Sequence, residues 1–257
     1  MKRLTYLLLV LTLAGCKGDY EQLFREGMRA RRAGDYTKAE QKYRKALEIN
    51  KTAEVYKELG NIYYLGEIDL EKAKEHYAKA LEVDPKYLNA LHNMGMINLK
   101  IFENNRDKKK KIKNNYKYLE QSKEWLEKAL AIDDRFALSY MELGNYHYYK
   151  KEYKQGVKSL KRSIQENPNE PRAHLALGRI YYKGLKNNDE AFESLTASYR
   201  LSADIPETLK MLAQVSKKLK KKGDAKTYYL RYLALIKELN YPAGFIKKEQ
   251  KNKKKFI

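Results

Sequence analysis

The feature that most constrains this chain is a self-similarity that returns about every 34 residues. The segments "LFREGMRA", "YKELGNIYY", "LHNMGMINL", "YMELGNYHYY", "HLALGRIYY" and "LKMLAQVS" each carry a small residue at one offset: Gly27, Gly60, Gly95, Gly144, Gly178 and Ala213. The intervals are 33, 35, 49, 34 and 35 residues. Behind each lies a second block: "AEQKYRKAL", "AKEHYAKAL", "SKEWLEKAL", "GVKSLKRSI", "AFESLTASY" and "AKTYYLRYL". In the second copy Tyr56, Leu59, Gly60 and Tyr63 fall at i, i+3, i+4 and i+7, one face of a helix. Ala73, Tyr77 and Ala80 mark a second helix, and the small residues sit where the two must approach closely. Pro85 and Pro168 stop second helices, and the glycine of "AGDY" (Ala33 to Tyr36) supplies a tight turn between helices. A unit this short cannot bury its apolar face alone, so the copies must stack.

These residues resemble the tetratricopeptide repeat (TPR) over 20–236, in copies at about 20–52, 53–86, 87–135, 136–169, 170–204 and 205–236. Copies two, four and five match strongly. Copy one has Glu26 where an apolar residue is expected, and copy six has Ala213 and Ser216 for a glycine and a large aromatic. The resemblance implies an all-α, right-handed α-solenoid of about six helix pairs whose first helices line a concave groove. It places Lys57, Asn61 and Tyr64 of copy two in that groove, with Asn93 and Met96 of copy three. Met141, Asn145, Tyr148 and Tyr149 of copy four follow, then Arg179 and Tyr182 of copy five. Asn offers donor and acceptor together, and Tyr supplies rigid area with a polar tip. Some TPR proteins clamp a terminal carboxylate. Lys57, Asn61 and Asn93 match the first three clamp positions, but Leu138 and Glu142 replace the lysine and arginine expected next. A groove for an extended segment or helix of a protein partner is the better expectation.

Copy three departs from the period. Asn98 and Ser122 are 24 residues apart instead of about nine, an excess of 15 that places an insertion at about 101–118. It carries a basic patch, Lys108, Lys109, Lys110, Lys111 and Lys113. Two readings stand: both helices lengthen into a basic spur, or the piece is a solvated loop. A second basic cluster, Lys217, Lys218 and Lys220 to Lys222, precedes a tail at 237–257 that ends in "FIKKEQKNKKKFI". Pro242 and Gly244 argue against a continuous helix there, so disorder is expected, with Phe245 and Ile246 available to fold back over the last repeat.

The N-terminus carries an address. Lys2 and Arg3 precede an apolar run, Leu4 to Leu13, that is too short at about ten residues to span a bilayer. Leu13-Ala14-Gly15-Cys16 resembles the lipobox of bacterial lipoproteins. That resemblance implies a signal peptide at 1–15, cleavage before the only cysteine, and acylation of Cys16 ahead of a short linker at 16–19. The expected location is the bacterial cell envelope, lipid-anchored outside the cytoplasm, with Lys17 slightly favouring the outer membrane. Export removes most of the case for nucleic acid that a net charge of +21 would otherwise raise.

No catalytic constellation is visible, and neither cofactor nor metal is expected. His76, His92, His147 and His174 fall at repeat positions without metal-ligand spacing, which favours packing. The leading expectation is therefore a membrane-anchored scaffold or adaptor that binds a protein partner in its groove. The alternative is a surface lipoprotein holding polyanions or anionic lipid through its basic insertion and tail.

Overall fold

The structure is a computed structural model and describes residues 18–67, 69–107 and 115–256. Thirteen α-helices and no strand occur among the described residues, arranged as antiparallel hairpins in two compact units divided after Asp134.

The first unit holds α1 (18–32), α2 (Tyr36–Ile49), α3 (Ala53–Ile62), α4 (Leu70–Val83), α5 (Leu88–Asp107) and α6 (Tyr116–Ile132). The second holds α7 (Ala137–Lys150), α8 (Tyr153–Glu166), α9 (Pro171–Arg179), α10 (Asn188–Leu201), α11 (Pro206–Lys218), α12 (Lys222–Glu238) and α13 (Ala243–Asn252). Local chemistry sets the starts. Asp35, Thr52, Asp69 and Asn187 accept a hydrogen bond from a backbone N–H of the turn that follows, filling orphan donors of α2, α3, α4 and α10. Pro171 and Pro206 open α9 and α11, where a missing N–H costs nothing.

The period in sequence becomes a repeated contact. Gly27 faces Tyr43, Gly60 faces Tyr77, Gly95 faces Leu126, Gly144 faces Leu160 and Gly178 faces Leu195. All five facing side chains are fully buried, each worth roughly 1.5–3 kcal/mol of transfer free energy. The sixth copy puts Ala213 at this place, buried in one cluster with Tyr229.

Copies two and five carry one extra residue after the first helix, and both absorb it as a π-turn, Tyr63–Glu67 and Ile180–Leu185. In both, a glycine leaves room for a tyrosine that opens the second helix of the preceding copy: Gly66 for Tyr36, Gly184 for Tyr153.

In the third copy α5 runs on to Asp107 and α6 begins at Tyr116, so much of the insertion lengthens the two helices. Ile101 and Phe102 are buried there, the Phe102 and Tyr116 rings lie 5.7 Å apart, and Asn115 Nδ2 donates to the Phe102 carbonyl. Lys108 to Lys111 and Lys113 lie outside the described residues, as do residues 1–17 with Cys16.

The C-terminal tail corrects the sequence expectation of disorder. Residues Ala243–Asn252 form α13, followed by a 3-10 turn at Lys253–Lys255. Pro242 ends the preceding chain and serves as the cap residue of α13, rather than breaking a helix. Ile246 and Phe256 cover the last repeat, with the Phe256 ring stacked on Tyr229 at 4.1 Å. Phe245 stays 37% exposed, so Ile246 and Phe256, not Phe245, close that end.

Candidate functional site

In the first unit the inward positions of successive first helices meet. The Glu58 carboxylate on α3 is buried and engages three neighbours. Lys57 pairs with it, Arg31 Nε from α1 lies 3.0 Å from Oε2, and Asn61 Nδ2 donates to Oε2 at 3.3 Å. The Asn61 carbonyl oxygen in turn accepts from the Tyr77 hydroxyl at 2.9 Å and from Asn93 Nδ2 at 3.3 Å. Burial pushes the Tyr77 hydroxyl well above its ordinary pKa, so it remains a donor. Lys57, Asn61 and Asn93, grouped by resemblance, are thus brought together. The arrangement does not suit carboxylate capture: the Lys57 charge is met by Glu58, and an incoming carboxylate would face that acid. Tyr64 packs beside Tyr77 and Met94, and Met96 is half-buried.

In the second unit the expected set divides. Met141 is a correction: it is buried at 5% exposure among Leu160, Ala173 and Leu177, a core residue instead of a groove residue. Its offset from Gly144 equals that of Lys57 from Gly60, but an unbranched apolar chain at this point gains more from turning into the hairpin core. Asn145 Nδ2 donates to Glu142 at 3.1 Å. Tyr148 and Tyr149 meet edge to face at 5.2 Å, and the Arg179 guanidinium lies 5.9 Å from the Tyr148 ring while pairing with Glu207 at 3.2 Å. Tyr182 is half-buried against the cluster of Leu175, Met211 and Val215, and burial raises its pKa.

Sequence reading missed a cleft of about 460 Å³ in this unit, lined among others by Lys183, Glu207, Lys210, Gln214, Tyr241 and Phe245. Lys210 stands at the same offset from Ala213 as Lys57 from Gly60, a signal present in the repeat register. The Tyr241 and Phe245 rings, 5.4 Å apart and both more than a third exposed, come from the region expected to be disordered and had no such signal. A second cleft of about 500 Å³ beside α1 and α2 includes Glu26, Arg29, Asp35 and Lys42, of which Lys42 and Glu26 pair at 2.5 Å.

The histidines are held by local partners. His76 stacks on Tyr63 at 5.2 Å, and its pKa is lowered to about 4 by burial and then by Lys79 and Arg44. Burial lowers His92 to about 4 as well. His147 Nδ1 lies 2.7 Å from Glu152, and His174 Nε2 lies 3.1 Å from the Pro168 carbonyl. Among the described residues no group of three His, Cys, Asp or Glu side chains could hold a metal, and no helix is long and apolar enough to cross a membrane.

Comparison with known proteins agrees with this geometry. Photosystem I assembly protein Ycf3 of Prochlorococcus marinus is 38% identical over 78 residues, covering 29% of this chain and 44% of that protein. The chain therefore spans less than half the length of this curated relative. PilF of Pseudomonas aeruginosa matches in structure with a TM-score of 0.68 at 21% identity, over 93% of this chain and 99% of that one. PilW, a type IV pilus biogenesis factor, matches with a TM-score of 0.67 at 18% identity, over 87% and 95%. Both likenesses are of fold. Models of the tetratricopeptide repeat match residues 20–52, 53–87 and 141–205, more than half of the chain. With those matches and the glycine-in-hairpin contact in five successive copies, the chain belongs to the tetratricopeptide repeat family.

Proposed function

We propose that this chain is a protein-interaction scaffold that works as a lipid-anchored adaptor in a bacterial cell envelope. The scaffold role follows from the family. The observation that carries a specific binding face is the cleft of the second unit, where an exposed aromatic pair, Tyr241 and Phe245, stands beside Lys183 and Gln214. Exposed aromatics flanked by polar groups are what protein interfaces use as anchors. Arg179, fixed between Tyr148 and Glu207, offers a further pre-organised contact in this unit. The address rests on Leu13-Ala14-Gly15-Cys16 alone.

Two measurements test the two halves. Crosslinking in intact envelopes should capture a partner with the natural chain and lose it with the Tyr241→Ala/Phe245→Ala double variant; unchanged capture overturns the cleft as the binding face. Metabolic labelling with a clickable fatty acid should mark the natural chain and not Cys16→Ser. A labelled serine variant, or an unlabelled natural chain, overturns the anchor.

A further inference from the structure

Two lysine clusters far apart in sequence become one surface in the fold. Phe256 stacks on Tyr229 at 4.1 Å, and Lys217 Nζ lies 5.7 Å from the centre of the same Phe256 ring. The 3-10 turn Lys253–Lys255 is thereby fixed beside the end of α11 and the turn into α12. Lys217, Lys218, Lys220, Lys221 and Lys222 are gathered with Lys253, Lys254 and Lys255, and all but half-buried Lys253 are exposed. Elsewhere some lysines meet acids, as Lys42 does Glu26, Lys57 Glu58, Lys100 Glu103 and Lys210 Glu249. None of these eight pairs with a carboxylate among the described residues; their contacts are to neutral groups, Lys221 over Phe192 at 4.0 Å and Lys255 on Asn252 at 2.9 Å. The nearby acid of α13, Glu249, is buried and already holds Lys210. Asp224, exposed in the first turn of α12, is the acid nearest to the lysines in sequence, so the eight keep a strongly positive surface that attracts external anions.

We propose that this composite patch docks on an anionic lipid surface. Its chemistry favours that occupant over others. Every member is lysine, a flexible, strongly hydrated point charge without the planar fork that reads individual phosphates or carboxylates bidentately. Such a set suits a laterally mobile sheet of head groups, where each lysine near the surface contributes independently. Single-stranded nucleic acid would ask for stacking faces, and the ring within the patch, Phe256, is already stacked on Tyr229; a duplex, which lysines hold through its phosphates alone, is an outcome of the test. The inference deepens the membrane-anchored reading by adding a second, electrostatic attachment to the expected acyl chain, a combination that stabilises anchoring.

The test is co-sedimentation of the full chain with vesicles of phosphatidylcholine alone or with 30% phosphatidylglycerol, read as the difference between the two. That difference does not depend on the state of Cys16, so it can fail without the anchor failing, and the reverse. The natural chain should prefer the anionic vesicles and lose that preference when salt is raised from about 0.1 to about 0.5 M. Replacing Lys253, Lys254 and Lys255 with Gln should weaken the preference on the order of 100-fold, roughly fivefold per lysine. Phe256→Ala keeps every charge but frees the turn, and should weaken it too, with helical circular dichroism retained. Three results would overturn the proposal: no preference for anionic vesicles, no effect of either variant, or tighter binding of a short DNA duplex or polyglutamate than of the vesicles.

Discussion

At the scale of single residues, the periodic glycines are contact sites between helices. A Cβ added at Gly178 would stand 2.7 Å from Leu195 Cγ and 3.3 Å from the Ala191 carbonyl, and the backbone of α10 cannot step aside as a side-chain tip can. Gly178→Ala should therefore destabilise the second unit by about 1–3 kcal/mol in spite of alanine's better helix propensity, read from its urea midpoint. A gain in stability would show that the hairpin relaxes freely. The helix-ending turns predict the opposite sign. Lys151, Lys186 and Lys220 hold positive φ values of 62°, 59° and 60°, whereas the matching turn of copy one uses Gly34 at 77°. Lys151→Gly should stabilise by about 1 kcal/mol, because the left-handed conformation burdens a side chain and not glycine. An unchanged melting temperature would count against that account.

At the scale of elements, α13 decides how the last repeat ends. Its Glu249 carboxylate is buried, pairs with Lys210 at 3.0 Å and lies 3.1 Å from the Tyr229 hydroxyl, whose pKa is pushed up by burial and by that acid. Removing the carboxylate strands both partners. Glu249→Ala should cost about 1–3 kcal/mol and raise hydrogen exchange in α12 and α13 before other helices of the second unit. Uniform exchange across that unit would show that α13 is no separate brace. This element was hard to read because its stabilising contacts, Glu249 to Lys210 and Phe256 to Tyr229, join residues 39 and 27 positions apart with no periodic pattern between them. The lengthening of α5 and α6 was left open for a similar reason: a lysine run looks the same in a loop and on a solvated helix.

At the scale of the molecule, acid sensitivity has a direction. His76 and His92 both belong to the unit ending at Asp134, and each titrates near 4 when folded against about 6.5 in an unfolded chain. Between these values the unfolded chain binds more protons, so stability is full above pH 6.5 and falls as pH drops toward 4. The slope approaches about 1.4 kcal/mol per pH unit for each histidine. Urea midpoints from pH 7 to 4.5 should show it, and His92→Leu should remove about half of the slope in this window. A flat profile would mean that both rings keep their ordinary pKa in the folded unit.

Sequence alone determined the repeat, the hairpin within it and the all-α class, because apolar spacing and the small residue at each close approach are local consequences of helix geometry. Resemblance to the repeat family, not periodicity alone, grouped Lys57, Asn61 and Asn93. Tertiary structure decided what those side chains do there. Burial of Glu58 consumes the charge of Lys57, and packing draws Met141 into the core. It alone made the Tyr241–Phe245 cleft and the joined lysine surface, because both depend on where the chain returns after Pro242, and no periodicity records a return.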